Sequence, residues 1–222
     1  MHLGLIGGIG PAATVTYYTR LVAAFRKKER PLELTIVQCD LDTLLRFAAE
    51  NRRDDMAQVY AELLKRLAAA GADVATIPSL GGHFCFEETR RLSPIPLVSA
   101  IEPIDREVRA QGLASVGLLG TRQVTSSALY GGLDATDVLA PDDVDQAHDA
   151  YIKMATAGVC SAALRAQVFA DGQAMIDRGA EAVILAGTDL GLAFDGFDPG
   201  YPTIDAAQIH IDHLVALATA AP

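Results

Sequence analysis

The stretch Gly71-Ala72-Asp73-Val74-Ala75-Thr76-Ile77-Pro78-Ser79 superimposes without a gap on Gly179-Ala180-Glu181-Ala182-Val183-Ile184-Leu185-Ala186-Gly187. Each copy opens on Gly-Ala and an acidic residue, continues as a short apolar run and stops at a small residue. A second pair agrees with the first: Gly4-Leu5-Ile6-Gly7 resembles Gly117-Leu118-Leu119-Gly120. Such self-similarity predicts a duplicated α/β unit, each half carrying a strand that ends in a small-residue turn. If the halves face each other, Ser79 and Gly187 stand on opposite walls of one cleft.

Bulk properties narrow the function. A chain of 222 residues makes one large domain or two small ones, and half of it is apolar, ample for a buried core. The net charge of −10 excludes nucleic acid or an anionic membrane as the main partner, because both need a basic face. A small anionic substrate stays open, since a local anion site is compatible with an acidic protein. No apolar run approaches the roughly 20 residues of a membrane span. The opening is a strand and glycine turn, not a basic segment followed by an apolar one, so no signal peptide is expected. Three cysteines without a pairing pattern predict a reducing, cytoplasmic setting.

Strands and helices alternate along the chain. His2 to Ile6 reads as a buried strand, and Pro11 as the first residue of a helix running to about Lys28. Leu34 to Val37 is a second strand. Met56, Val59, Tyr60, Leu63, Leu64 and Leu67 recur at helical spacing, with Gly71 placed as the cap. Strands are expected at Val74 to Ile77, Pro96 to Val98, Ser115 to Leu119 and Ala182 to Leu185. Helices are expected around Glu87 to Arg91, Ile101 to Gln111, Val124 to Tyr130, Pro141 to Ala157, Ala162 to Arg178 and Ile204 to Ala218. Alternation of this kind implies parallel sheets with right-handed crossovers, whose sites lie at the carboxyl ends of the strands.

Those ends are Gly7 to Pro11, Cys39 to Asp42, Ser79 to His83, Thr121 to Thr125 and Gly187 to Asp189. The first, with Gly8 and Gly10, offers backbone N–H groups at a helix start, suited to a carboxylate or phosphate. Its glycine spacing is neither a dinucleotide fingerprint nor a P-loop, and a plain tight turn is the competing reading. Thr121, Thr125, Ser126 and Ser127 form a second hydroxyl-rich helix start, a substrate contact or a set of N-caps.

These residues carry a family resemblance. GLIGGIGPAATVTYY (4–18) is similar to the start of the aspartate/glutamate racemases that work without pyridoxal phosphate, where Gly-Gly-Met-Gly-Pro-x-Ala-Thr is typical. The similarity continues through GADVATIPS, VGLLGTRQVTSSALY and RGAEAVILAGTDL to PTID, and so spans essentially the whole chain. It implies two similar Rossmann-like α/β parallel-sheet domains related by pseudo-twofold symmetry, with the active cleft between them. The domains would be residues 1–97 plus 205–222, completed by the C-terminal helix, and 98–204. It also implies cofactor-independent chemistry with no metal, a small anionic or amino-acid-like substrate, and a homodimer.

Racemases of this family place a cysteine after each of the two matching strands. One thiolate removes the Cα proton and the other thiol returns a proton to the opposite face, because one group cannot readily reach both faces of a planar carbanion. Here the Pro-Cys-Asn-Thr-Ala-His segment reads Pro78-Ser79-Leu80-Gly81-Gly82-His83, and Gly-Cys-Thr-Glu reads Ala186-Gly187-Thr188-Asp189. Both thiols are absent, so ordinary racemisation is not expected. Candidate replacements are Ser79 activated by His83, and Asp189 at the second wall. Gly81, Gly82, Thr188 and Tyr130 match substrate-side positions of the pattern. Cys85, read as lying in the first turn of a helix, and Cys39, at the end of the second strand, are additional candidates against the alternative of buried hydrophobes. His210 and His213 lie one turn apart on the closing helix and read as a surface face, since no third metal ligand is evident. A family enzyme with a substituted base set, a different cleft chemistry of lyase, decarboxylase or cyclase type, and a non-catalytic ligand-binding protein all remain open.

Overall fold

Leu3, Leu5 and Ile6 are almost wholly shielded from solvent, as a central parallel strand covered on both faces requires. They belong to β1 (His2–Gly7), the first element of a computed structural model that describes residues 1–9 and 11–220. The chain divides into two compact units, Met1–Ala100 with His210–Pro222, and Ile101–Ile209. In the first unit β1 leads to α1 (Pro11–Lys27), β2 (Glu33–Gln38), α2 (Leu41–Ala49), α3 (Arg53–Ala69), β3 (Val74–Thr76), a 3-10 turn at Gly81–Cys85, α4 (Phe86–Leu92) and β4 (Leu97–Val98). The strand order is β2-β1-β3-β4, all parallel, with Leu3 opposite both Leu34 and Val74.

The second unit repeats this plan. It holds α5 (Ile101–Ala110), β5 (Ser115–Gly120), α6 (Arg122–Ser126), a turn α7 (Ala128–Gly131), β6 (Asp137–Leu139), α8 (Val144–Ala157), α9 (Ala162–Asp177) and β7 (Ala182–Ala186). A 3-10 turn at Thr188–Leu190, α10 (Gly191–Phe194) and β8 (Thr203–Asp205) follow. Its order, β6-β5-β7-β8, is again wholly parallel. The closing helix α11 (Ala206–Thr219) carries the chain back into the first unit.

The repeated motif does the same physical work twice. Gly71 and Gly179 end α3 and α9 at φ of +88° and +106°, where a side chain is strained. Ala72 N–H then bonds the Leu67 carbonyl, and Ala180 N–H the Met175 carbonyl, both at 3.0 Å. The acidic residue follows. Asp73 accepts from His2 N–H at 2.6 Å, while Glu181 accepts from Ala114 and Ser115 N–H at 2.6 and 3.1 Å. Each carboxylate thus fixes the start of the neighbouring strand. Gly4 and Gly117 complete the unit: a Cβ there would lie 3.0 Å from Leu67 and Met175 respectively, so each glycine lets its helix sit close on the sheet. Gly179→Ala, with no neighbour within 4 Å of the added Cβ, should therefore cost about 1–2 kcal/mol through φ alone. An unchanged urea midpoint would show that the left-handed turn is not formed.

Several segments differ from the sequence expectation, among them α2 and β6, which it lacked. The helix expected over Val124 to Tyr130 is broken: α6 stops at Ser126, and Ala128, Leu129 and Tyr130 take φ of 48°, 54° and 58°. Three consecutive non-glycine residues in the left-handed region cost roughly 1–2 kcal/mol each, a strain that the surrounding structure has to impose. Ser127 helps impose it, with Oγ accepting from Tyr130 N–H at 3.1 Å and its carbonyl accepting from Gly131 N–H at 3.0 Å. Ile204 lies in β8 rather than in the closing helix, because it pairs with Ile184 of β7. His210, read as a surface residue, is fully buried and bonded at both nitrogens.

Candidate active site

Ser79 follows β3 after a tight turn in which its N–H reaches the Ile77 carbonyl at 2.8 Å. Its carbonyl accepts from Gly82 N–H at 3.2 Å and from His83 Nδ1–H at 2.7 Å. The other ring nitrogen of His83 accepts from Ala100 N–H at 3.0 Å. These partners define a neutral imidazole with Nδ1 protonated and Nε2 occupied as an acceptor. The ring stacks on Phe86 at 4.9 Å between centroids, and burial holds its pKa down at about 4. His83 therefore grips the Ser79 main chain, not the hydroxyl. Gly82 is required beneath it, since a Cβ would stand 2.7 Å from Ile77 and 3.0 Å from the Tyr60 hydroxyl. Gly81, by contrast, is open, with only Ser79 Oγ nearby at 3.7 Å.

A second buried chain supports the same strand. Thr76 Oγ1 donates to the Val98 carbonyl at 2.8 Å and so accepts from His210 Nε2–H at 3.1 Å. His210 Nδ1 then accepts from the Tyr17 hydroxyl at 2.8 Å. Helix α11 is thereby tied to α1 and β3 by a network whose members are nearly or wholly buried, and burial depresses the His210 pKa well below its ordinary value.

At the end of β1, Gly8 has a φ of +89°, and its N–H donates to Thr14 Oγ1 at 2.9 Å. A side chain there would collide with Gln38 and the Cys39 carbonyl. Gly10, the other glycine expected to bind an anion, lies outside the described residues. Cys39 and Cys85 are buried, and burial is the largest cause pushing their thiols up to about 11 and about 12. Cys85 stands just before α4 with its sulfur 3.7 Å from Thr89 Oγ1. Both are neutral thiols, not helix-activated thiolates.

In the second unit the loop after β5 presents Thr121 at the start of α6 without a side-chain cap bond, and Ser126 exposed. Thr125 is buried, its hydroxyl directed to the Thr121 and Arg122 carbonyls, both at 3.1 Å. Tyr130 is held in the left-handed turn.

The end of β7 is the most informative point. Gly187 is extended, at φ −176°, so its backbone would accept any residue. What excludes a side chain is Tyr151 of α8. A Cβ on Gly187 would lie 2.6 Å from both Cε2 and Oη of that ring and 2.9 Å from Cζ. The Tyr151 hydroxyl donates to Asp189 Oδ2 at 2.9 Å, and burial, reinforced by the Asp189 charge, raises the phenol pKa. Thr188 and Asp189 form the first turn after the glycine. The space that a side chain at 187 would need is thus filled by a phenol held by a carboxylate. Tyr151 was not singled out from sequence. The signal available was the missing side chain at 187, which obliges some neighbour to fill the space.

Among the described residues no group of three or more His, Cys, Asp or Glu is placed to hold a metal ion. None of their helices is long and apolar enough to cross a membrane.

Two four-stranded parallel sheets of matching order, each with a polar turn after β3 or β7, define an α/β architecture of the racemase type. A family model described as Asp/Glu/hydantoin racemase matches residues 6–214, and the chain belongs to that family. Among solved structures, a Yersinia pestis protein described as an Asp/Glu racemase shares 21% identity at a TM-score of 0.88, covering 99% of this chain and 100% of its own. An aspartate racemase homologue from Pyrococcus horikoshii shares 25% identity at 0.83, covering 99% of each chain. The Picrophilus torridus aspartate racemase shares 19% at 0.79, covering 98% of this chain and 94% of its own.

Proposed function

We propose that this protein is a cofactor-independent enzyme of its family, acting at the α-carbon of a small carboxylate or amino-acid-like substrate, with the two-thiol pair replaced at Ser79 and Gly187. The observation that carries this reading is the family match across residues 6–214 together with the residues at the ends of β3 and β7. Neither remaining buried cysteine supplies a substitute, because burial keeps both protonated near neutral pH. Ordinary aspartate or glutamate racemisation is therefore slow or absent, since a positioned acid or base is worth about 10²–10⁴-fold in rate. The substrate carboxylate is assigned to the Thr121–Ser127 segment. A cytoplasmic homodimer is part of the same reading. A decarboxylase- or lyase-type reaction is the second reading, favoured by Tyr151 in the space of the missing thiol, because such reactions need a proton delivered to one face only.

Calorimetric titration with malonate, succinate and both enantiomers of aspartate and glutamate tests the substrate class. Binding of at least one, weakened by Ser126→Ala together with Thr121→Val, is the expected result. Binding of none, alongside binding of a cationic or apolar ligand, would remove the carboxylate reading.

A further inference from the structure

We propose that Tyr151, backed by Asp189, is the proton-handling group of the second unit and stands in the place of its absent thiol. The inference deepens the functional reading above and rests on it. A thiol carried on Gly187 would have to share the volume that the phenol oxygen holds, 2.6 Å from that Cβ. The phenol is a functional replacement and not only packing, because its proton has a built destination, Asp189 Oδ2, at 2.9 Å.

The step balances without a free tyrosinate, which burial and the neighbouring carboxylate both disfavour. The Cα–H bond of the bound carboxylate breaks and its electron pair stays on the substrate as an enediolate. The released proton bonds to Tyr151 Oη while the original phenol proton passes to Asp189 Oδ2. Tyr151 is neutral before and after, and the net transfer is one proton from carbon to carboxylate. Reversal returns a proton to the same face. Ser79 offers no comparable group: its hydroxyl is a weak acid and a weak base, and both nitrogens of His83 are engaged. The consequence is specific. One enantiomer exchanges its α-hydrogen with solvent and keeps its configuration.

The test incubates the wild-type protein in deuterated water with each enantiomer of aspartate and of glutamate. Exchange is followed by NMR, configuration by chiral chromatography and binding by calorimetry. Deuterium should enter one enantiomer of at least one amino acid without inversion. Tyr151→Phe, which keeps the ring, and Asp189→Asn, which keeps the size, should each lower that exchange about 10²-fold or more. Binding should stay within a few-fold and the circular dichroism should be unchanged, a split that a merely structural role would not produce. Exchange at the wild-type rate in Tyr151→Phe overturns the proposal, and so does exchange with inversion. Absence of exchange in the wild type also overturns it. If an amino acid still binds, the substrate class survives that failure; if none binds, both fall.

Discussion

Acidification from pH 7 to pH 5 should destabilise this protein markedly, with the loss centred on the first unit. His83 is neutral in the fold, its pKa held near 4 against an ordinary 6.5, so the unfolded chain binds the proton first. Its stabilising contribution is complete above pH 6.5 and is lost as pH falls towards 4. The part lost between pH 7 and 5 is about 2 kcal/mol. His210 adds to the loss with the same sign, since its pKa is also depressed by burial and its two bonds demand the neutral ring. Asp171 works against them. Burial raises its carboxyl to about 6, so protonation in the same range relieves a cost of the folded state. His148, also lowered by burial, acts with the same sign, so three histidines against one carboxyl leave a net fall. Urea unfolding at pH 7.5, 6 and 5 should show midpoints declining with pH, and His83→Gln should flatten the decline by about one proton while lowering stability at pH 7.5. A flat profile in the wild type would mean that neither imidazole is buried neutral.

The reach of the sequence follows from where each constraint sits. The strands β3 and β7 were legible because their cause is local: a capping glycine, an acidic residue and an apolar run lie within nine consecutive positions. The two carboxylates, Asp73 and Glu181, repeat the same bond because the motif that places them is itself repeated. His210 was misread for the opposite reason. Its partners Tyr17 and Thr76 lie 193 and 134 residues away, and no pattern on α11 announces them. The left-handed turn at 128–130 carries no glycine or asparagine, the residues that normally advertise that backbone, so only the packed structure around it reveals it. At the candidate site, the small residues that follow β3 and β7, Ser79 and Gly187, were visible in sequence. The identity of the group filling the space at the second was not, because a glycine records that space is needed and leaves the occupant unnamed.

Installing a working pair of thiols should need three substitutions, not two. Gly187→Cys alone forces its Cβ into the Tyr151 ring, which is packed against the cluster of Met154, Val168 and Leu190 and cannot swing away freely. Overpacking of this kind costs about 1–3 kcal/mol. Tyr151→Ala alone loses packing and the bond to Asp189, but it vacates the volume a cysteine side chain requires. The double variant should then be more stable than the sum of the two single losses, by an amount similar to the strain relieved. Activity should follow the same logic. Ser79→Cys with Gly187→Cys leaves the second sulfur displaced by the phenol, whereas adding Tyr151→Ala lets it point where the oxygen stood. Aspartate or glutamate racemisation should be fastest in the triple variant, about 10²-fold or more above any double, while Ser79→Cys variants that keep Tyr151 show only the slow inversion that one thiol and the Tyr151–Asp189 pair support. Leu80 and Gly81, where the racemase pattern has Asn and Thr, keep recovery partial. Urea unfolding of the single and double variants and a chiral assay on all combinations check both halves. If Gly187→Cys is as stable as the wild type, the phenol does not occupy the thiol's place. If the double variant that retains Tyr151 racemises as fast as the triple variant, the thiol and the phenol coexist, and the crowding at the end of β7 does not limit a thiol at 187.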